Sequence, residues 1–165
     1  FQCAQLVYDA TVIFCGRFVE KRSRTHDQMI QAARSGVQNI AEGSVASATS
    51  KRTELKLTGV ARASLEELLL DYQDFLRQRG LPLWGKDHTQ AQTIRKLAYV
   101  SNRSYSTYKS YVEDPSPEVA ANTLICLIHQ ANYLLDQQLR ALEQSFISEG
   151  GYSEQLAAAQ VTVKF

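Results

Sequence analysis

The sequence predicts an all-α chain, an antiparallel up-and-down four-helix bundle with extra short helices between its third and fourth long helices. Three observations carry this. Apolar residues recur three and four apart over four long stretches. The three prolines, Pro82, Pro115 and Pro117, fall in two clusters and leave long spans free of helix breakers. The stretch Gln28–Gly43, QMIQAARSGVQNIAEG, is a thin helix rich in Ala and Gly, suited to close packing. Residues 1–149 are assigned to the bundle, with 85–114 an insertion, and 150–165 to a C-terminal extension.

Helix one is expected from Cys3 to Arg22, with Leu6, Val7, Ala10, Ile13, Phe14 and Phe18 forming overlapping stripes. Lys21, Arg22 and Arg24 then complement the carbonyl end of its macrodipole, with a nucleic-acid contact as the alternative use of the same charges. Thr25 is expected to cap helix two, with Asp27 adding negative charge to the first turn. Met29, Ala33, Gly36, Val37 and Ile40 share one side. Gly36 costs about 1 kcal/mol relative to Ala inside a helix, a loss best offset where a neighbouring backbone approaches. Gly43 is expected to end helix two. Ser50 caps helix three, in which Leu57, Ala61, Leu65, Leu68, Tyr72 and Phe75 repeat as far as Arg79.

Gly80 and Pro82 stop helix three, and Trp84 is expected to pack the corner. Asp87 is expected to cap a short helix through about Val100, and Asn102–Val112 to form another. In this region Tyr99, Tyr105, Tyr108 and Tyr111 lie among Arg95, Lys96, Arg103 and Lys109. Such a mixture suits a stacking platform for single-stranded bases, though tyrosines three apart more commonly lie on a core with wet hydroxyls. Ser116 caps the last long helix with Pro117 at its first position, and Leu124, Ile128, Ala131, Leu135 and Leu142 form its seam. The tail has weak helical character to Ala159 and ends in alternating Val161, Val163 and Phe165, which suit either docking on a neighbour or a mobile end.

The 165 residues, 44% hydrophobic and 21% charged, fit one domain able to bury its own core. Cys3, Cys15 and Cys126 are an odd number without metal spacing and read as reduced thiols of a cytoplasmic protein. No run is long and apolar enough for a membrane span, and no export signal is apparent. Net charge is +1, but residues 1–65 hold nine Lys or Arg against five Asp or Glu, and residues 66–165 nine against twelve. The positive half suggests a basic surface. His26, His88 and His129 are isolated, and Glu66, Glu67, Asp71 and Asp74 project outward. No metal, cofactor or catalytic residues are assigned, and the chain reads as non-enzymatic.

QMIQAARSGVQNIAEG followed by SKRTELKLTGVARASLEEL resembles the bacterial four-helix-bundle family encoded by intervening sequences in 23S rRNA genes, which includes accessory proteins of diversity-generating retroelements. The shared residues include Gln28, Ala32, Ala33, Asn39, Ile40, Ala41, Glu42, Gly43, Ser50, Lys51, Arg52, Ala61, Ser64, Leu65, Glu67 and Leu68, within a match covering about residues 6–80. Two family arginines are here Ile30 and Gln31, Thr53 replaces a glutamate, and Ala63 a glycine. The Tyr-rich insertion and the tail mark a divergent branch. The resemblance implies an oligomeric ring, commonly a homopentamer, and in the retroelement branch a basic surface that contacts nucleic acid and a reverse transcriptase.

The expected function is therefore binding of RNA, DNA or a nucleoprotein partner by a homo-oligomer, through Arg34, Lys51, Arg52, Lys56 and Arg62. Asn39, Glu42 and Gly43 form a motif read as mostly structural. The alternative is a protein-interaction scaffold displaying the Tyr-rich insertion, with no nucleic-acid role. A third expectation, weaker than both, is an enzyme whose site lies between subunits.

Overall fold

The computed structural model describes residues 1–164, with side chains through Ser148. All regular structure among them is helical: α1 (Gln2–Phe18), α2 (Arg24–Ala46), α3 (Lys51–Gln78), α4 (Thr89–Lys96), a 3-10 turn at Leu97–Tyr99, α5 (Tyr105–Val112) and α6 (Pro117–Lys164).

Helix ends follow from local chemistry. α1 stops four residues earlier than expected, because Val19 turns extended (φ −116°, ψ 131°) and a tight turn follows, with the Ser23 amide donating to the Glu20 carbonyl at 3.0 Å. Ser23, not Thr25, caps α2: its hydroxyl accepts from the His26 amide at 3.1 Å. Gly43 does not end α2. The helix runs on to Ala46, and Gly43 is buried where a Cβ would lie 3.5 Å from both Leu57 Cβ and Thr58 Oγ1. Its missing side chain thus serves helix packing instead of a cap.

Ser50 caps α3 as expected, accepting from the Thr53 amide at 3.2 Å. The far end is a Schellman motif. Gly80 adopts φ +64°, its amide donates to the Arg77 carbonyl at 3.2 Å, and the Leu81 amide donates to the Leu76 carbonyl at 2.9 Å.

In the insertion, His88 replaces Asp87 as the cap, its Nδ1 accepting from the Gln90 amide at 3.2 Å, and α4 gives way to the 3-10 turn after Lys96. Asn102 has φ 55°, a left-handed conformation that no right-handed helix admits, so α5 begins only at Tyr105. Ser116 and Pro117 open α6, with the Ser116 hydroxyl accepting from the Val119 amide at 3.4 Å. The expected docking of Val161, Val163 and Phe165 lies outside the described side chains.

Side-chain pairs fix the directions of the long helices. Gly36 meets Leu65 and, two turns on, Gly43 meets Leu57 and Thr58, so α2 and α3 are antiparallel, and Ser35 bonds Ser64 between them at 3.0 Å. Lys51 bonds Ser145, Arg62 bonds Asp136 at 2.8 Å and Asn132 bonds Glu66 at 3.4 Å, so α3 and α6 are antiparallel. The Tyr72 hydroxyl reaches Thr11 at 2.9 Å and Arg79 reaches the Phe18 carbonyl at 3.3 Å, so α1 and α3 run the same way. α1 also packs on α2 and α6.

The core between them holds Val7, Phe14, Met29, Leu65, Leu68, Tyr72, Leu124 and Ile128, all at 0% exposure. Phe14 sits at its aromatic centre, with ring centroids 4.9 Å from both Tyr72 and Phe75 in edge-on contact. What fills the space beside Gly36 is the Leu65 side chain, not an approaching backbone: a Cβ at Gly36 would stand 2.9 Å from Leu65 Cδ2. α5 lies on α1 and α6, burying Tyr108 and Val112, and α4 lies on α6 through Ala91 and Ile94. The insertion is thus part of the packed body.

Candidate functional site

The five cations expected to meet nucleic acid lie on α2 and α3 in different surroundings. Arg34, Arg52 and Lys56 are exposed. Arg34 sits level with Leu65 through the neighbouring Ser35–Ser64 pair, whereas Lys56 lies about 13 Å further along α3 at the usual helical rise. Lys51 donates to the Ser145 hydroxyl. Arg62 is partly buried and engaged twice, by Nη1 to Glu66 Oε2 and by Nε to Asp136 Oδ1, both at 2.8 Å. Burial works against its charge, but the bonds to Glu66 and Asp136 outweigh that and hold its pKa above the ordinary value. A guanidinium tied to two carboxylates has little left for phosphate.

The motif residues also resolve individually. Asn39 donates to the Ser35 carbonyl at 2.9 Å and hydroxyl at 3.1 Å, and that hydroxyl in turn meets Ser64 of α3. Asn39 and Gly43 therefore stitch α2 to α3, while Glu42 is exposed.

A cleft of about 630 Å³ opens elsewhere, between α6 on one side and the Leu83–Tyr99 segment on the other. On α6, Asn122, Ile125, Cys126, His129, Gln130 and Tyr133 recur at helical spacing and form its wall. Trp84 is fixed at its rim. The backbone amide donates to Asn122 Oδ1 and the indole Nε1 to Glu118 Oε2, each at 2.9 Å, while His88 stacks on the indole at 4.3 Å with the planes 4° apart. Asn122, itself buried, also donates to the Pro82 carbonyl at 3.0 Å. One amide side chain thus holds the corner after α3.

Lys86, Arg95 and Arg103 line the cleft, and none of its lining residues among those described is acidic. Glu118, behind Trp84, is taken up by the indole. Arg95 Nε donates to the Ala91 carbonyl at 3.3 Å and Nη2 to the Lys86 carbonyl. Arg103 Nη1 donates to Gln130 Oε1 at 3.0 Å and to the Tyr108 hydroxyl at 3.3 Å. Among the described residues neither arginine pairs with a carboxylate. Gln130 Nε2 is buried and has no hydrogen-bond partner among them.

Burial lowers the His129 pKa against the pull of Glu66, with Arg62 and Arg95 adding to the fall, so its imidazole is neutral at pH 7. Burial raises the Cys126 thiol despite Arg95, which keeps it protonated and unreactive. No group of three His, Cys, Asp or Glu side chains gathers around a metal position among the described residues.

The tyrosine platform is dispersed. Tyr108 is buried, the Tyr105 hydroxyl donates to Glu113 at 3.0 Å, and Tyr111 packs against the core. Tyr99 alone of the four stands free, at 89% exposure, and it lines the cleft with Arg95 and Arg103. No family model, curated protein or solved structure matches this chain.

Sequence reasoning placed Tyr99, Arg95 and Arg103 together but missed Trp84, Gln130 and Tyr133 as their companions. The available signal was the polar and aromatic stripe on α6, which runs beside the apolar seam at the same period. No helix among the described residues is long and apolar enough to cross a membrane.

Proposed function

We propose that this chain is a non-enzymatic, homo-oligomeric protein that binds nucleic acid, and that α1, α2, α3 and α6 form an antiparallel four-helix bundle. Alternating helix directions and the core shared by these four helices support the bundle. The resemblance to the 23S rRNA intervening-sequence family supports assembly into a ring, with a pentamer favoured. Light scattering at five times the 18.5 kDa chain mass would agree with that, and a monomer would not.

The observation that carries the nucleic-acid reading is the cleft with three cations, exposed aromatic rings and no lining carboxylate. A positive surface releases counterions from a phosphate backbone, and aromatic faces accept bases of any sequence. Exposed Arg34, Arg52 and Lys56 extend the positive field outside the cleft.

Filter retention of single-stranded RNA and DNA tests it. With about three phosphates neutralised, raising salt from about 50 to about 200 mM weakens single-strand binding about twentyfold. Absence of retention at low salt, or retention indifferent to salt, overturns the reading.

A protein-interaction scaffold is the second reading, favoured by Leu83 and Leu134, exposed by 53% and 50% at the same cleft. Replacing both by Gln abolishes capture of a protein partner under that reading and spares nucleic-acid retention under the first.

A further inference from the structure

We infer that the cleft between the Leu83–Tyr99 segment and α6 holds one nucleotide unit, a flat heteroaromatic ring bearing a phosphate. Where a strand carries that unit, the assignment rests on the nucleic-acid binding proposed above; a free mononucleotide requires only the cleft.

Size, faces and charge all select this chemistry. About 630 Å³ lies within the roughly 300–1,000 Å³ usual for small-ligand pockets. Tyr99 and Tyr133 line it at 89% and 61% exposure, large rings left to water on the protein's own account. A base laid on such a ring removes apolar area from water and gains stacking.

The guanidinium groups address the other half of the ligand. Arg95 and Arg103 are each oriented by bonds to oxygen acceptors of the protein, and these use only some of the five N–H donors that a guanidinium carries. With no carboxylate to neutralise them, the remaining donors suit the oxygens of a phosphate. Lys86 adds a third positive charge.

Gln130 supplies the most selective element. Arg103 engages its Oε1 and thereby sets the orientation of the amide, leaving Nε2 buried without a partner among the described residues. A buried donor left unpaired is costly, and a small rotation of the amide into the cleft lets an acceptor on the edge of a base relieve that cost. An alkyl carboxylate such as laurate offers no such acceptor beside its chain and no flat face for the tyrosines.

Trp84 is the only tryptophan in the chain and sits at the rim, so intrinsic fluorescence reports on this cleft. The test titrates the full chain with AMP, adenosine, a single-stranded oligoadenylate and laurate, with calorimetry of the same titrations as a second readout. AMP or the oligoadenylate should bind saturably, and adenosine at least about tenfold more weakly than AMP wherever AMP binds. Binding of AMP identifies a free nucleotide as sufficient, and binding of the oligoadenylate alone identifies a strand-borne unit.

Tyr99→Ala, at a site too exposed to unsettle the fold, should weaken the bound species about tenfold, the scale of one lost base stack. Gln38→Ala, exposed on α2 and outside the cleft, should leave that affinity unchanged. Saturable binding of laurate with none of AMP or oligoadenylate overturns the inference, and so does undiminished affinity in Tyr99→Ala. If filters retain nucleic acid while neither readout responds to nucleotide or oligoadenylate, the cleft assignment falls and the nucleic-acid reading stands. If filters retain nothing but AMP binds saturably, the nucleic-acid reading falls and the cleft assignment stands.

Discussion

The Tyr72 hydroxyl lies 2.9 Å from Thr11 Oγ1, and both side chains are fully buried where α1 meets α3. Burial pushes the phenol well above its ordinary pKa, so it remains a neutral donor across the working range. Tyr72→Phe leaves the threonine oxygen without this donor and should cost about 1–2 kcal/mol in urea unfolding. Removing both hydroxyls with Tyr72→Phe and Thr11→Val should cost less than the two single changes added together. Strict additivity would mean that the pair contributes nothing.

Glycines on α2 and α3 should respond with opposite sign to the same substitution. Gly59 has nothing within 4 Å of an added Cβ, so Gly59→Ala should stabilise by about 0.5–1 kcal/mol through helix propensity. At Gly36 the added methyl meets Leu65 Cδ2 at 2.9 Å and Cγ at 3.2 Å inside a filled core. Overpacking should exceed the propensity gain and leave Gly36→Ala destabilised by about 1 kcal/mol. Denaturation midpoints for the two variants check both signs.

Asp71 sets a pH dependence. Burial, then the charges of Glu67 and Asp74, push its carboxyl from 3.8 up to about 6, and Cys15 of α1 also faces it. Between these values the folded chain binds the proton more tightly than the unfolded chain does, so this group's contribution to stability falls as pH rises from about 4 to about 6. Allowing for solvent screening, Asp71→Asn should gain about 1 kcal/mol over wild type at pH 7.5 and almost nothing at pH 4. Equal gains at both values would remove Asp71 as the source.

Arg62 and Lys56 separate structure from recognition. Arg62→Gln breaks the partly buried links to Glu66 and Asp136 and should lower stability by about 1 kcal/mol, with nucleic-acid retention unchanged. Lys56→Gln, on an exposed face, should leave stability alone. If RNA tracks along α3 it should also reduce the salt slope by about 0.7. Paired melts and filter assays distinguish the two residues.

Much of the fold was legible because its signals are local. Ser50 and Ser116 cap as a hydroxyl before a helix should, and Gly80 ends α3 in a left-handed turn. Gly43 misled because a glycine near a helix end has two uses, and here packing on Leu57 and Thr58 prevails over termination. Tyr108 is drawn inward with Val112, four residues on, because α5 has a buried side facing α1 and α6. The cleft escaped detection because its walls come from segments about forty residues apart, and no sequence spacing encodes the bond from Arg103 to Gln130.

The fit of Leu65 into the hollow at Gly36 works as a peg in a notch, and the Ser35–Ser64 bond one residue away engages in the same setting. Axial registry of α2 against α3 therefore belongs to their facing surfaces, and the short Ser47–Ser50 connection is only a tether. A tether can be lengthened, or severed at Ala48, and the two halves will still find the same alignment.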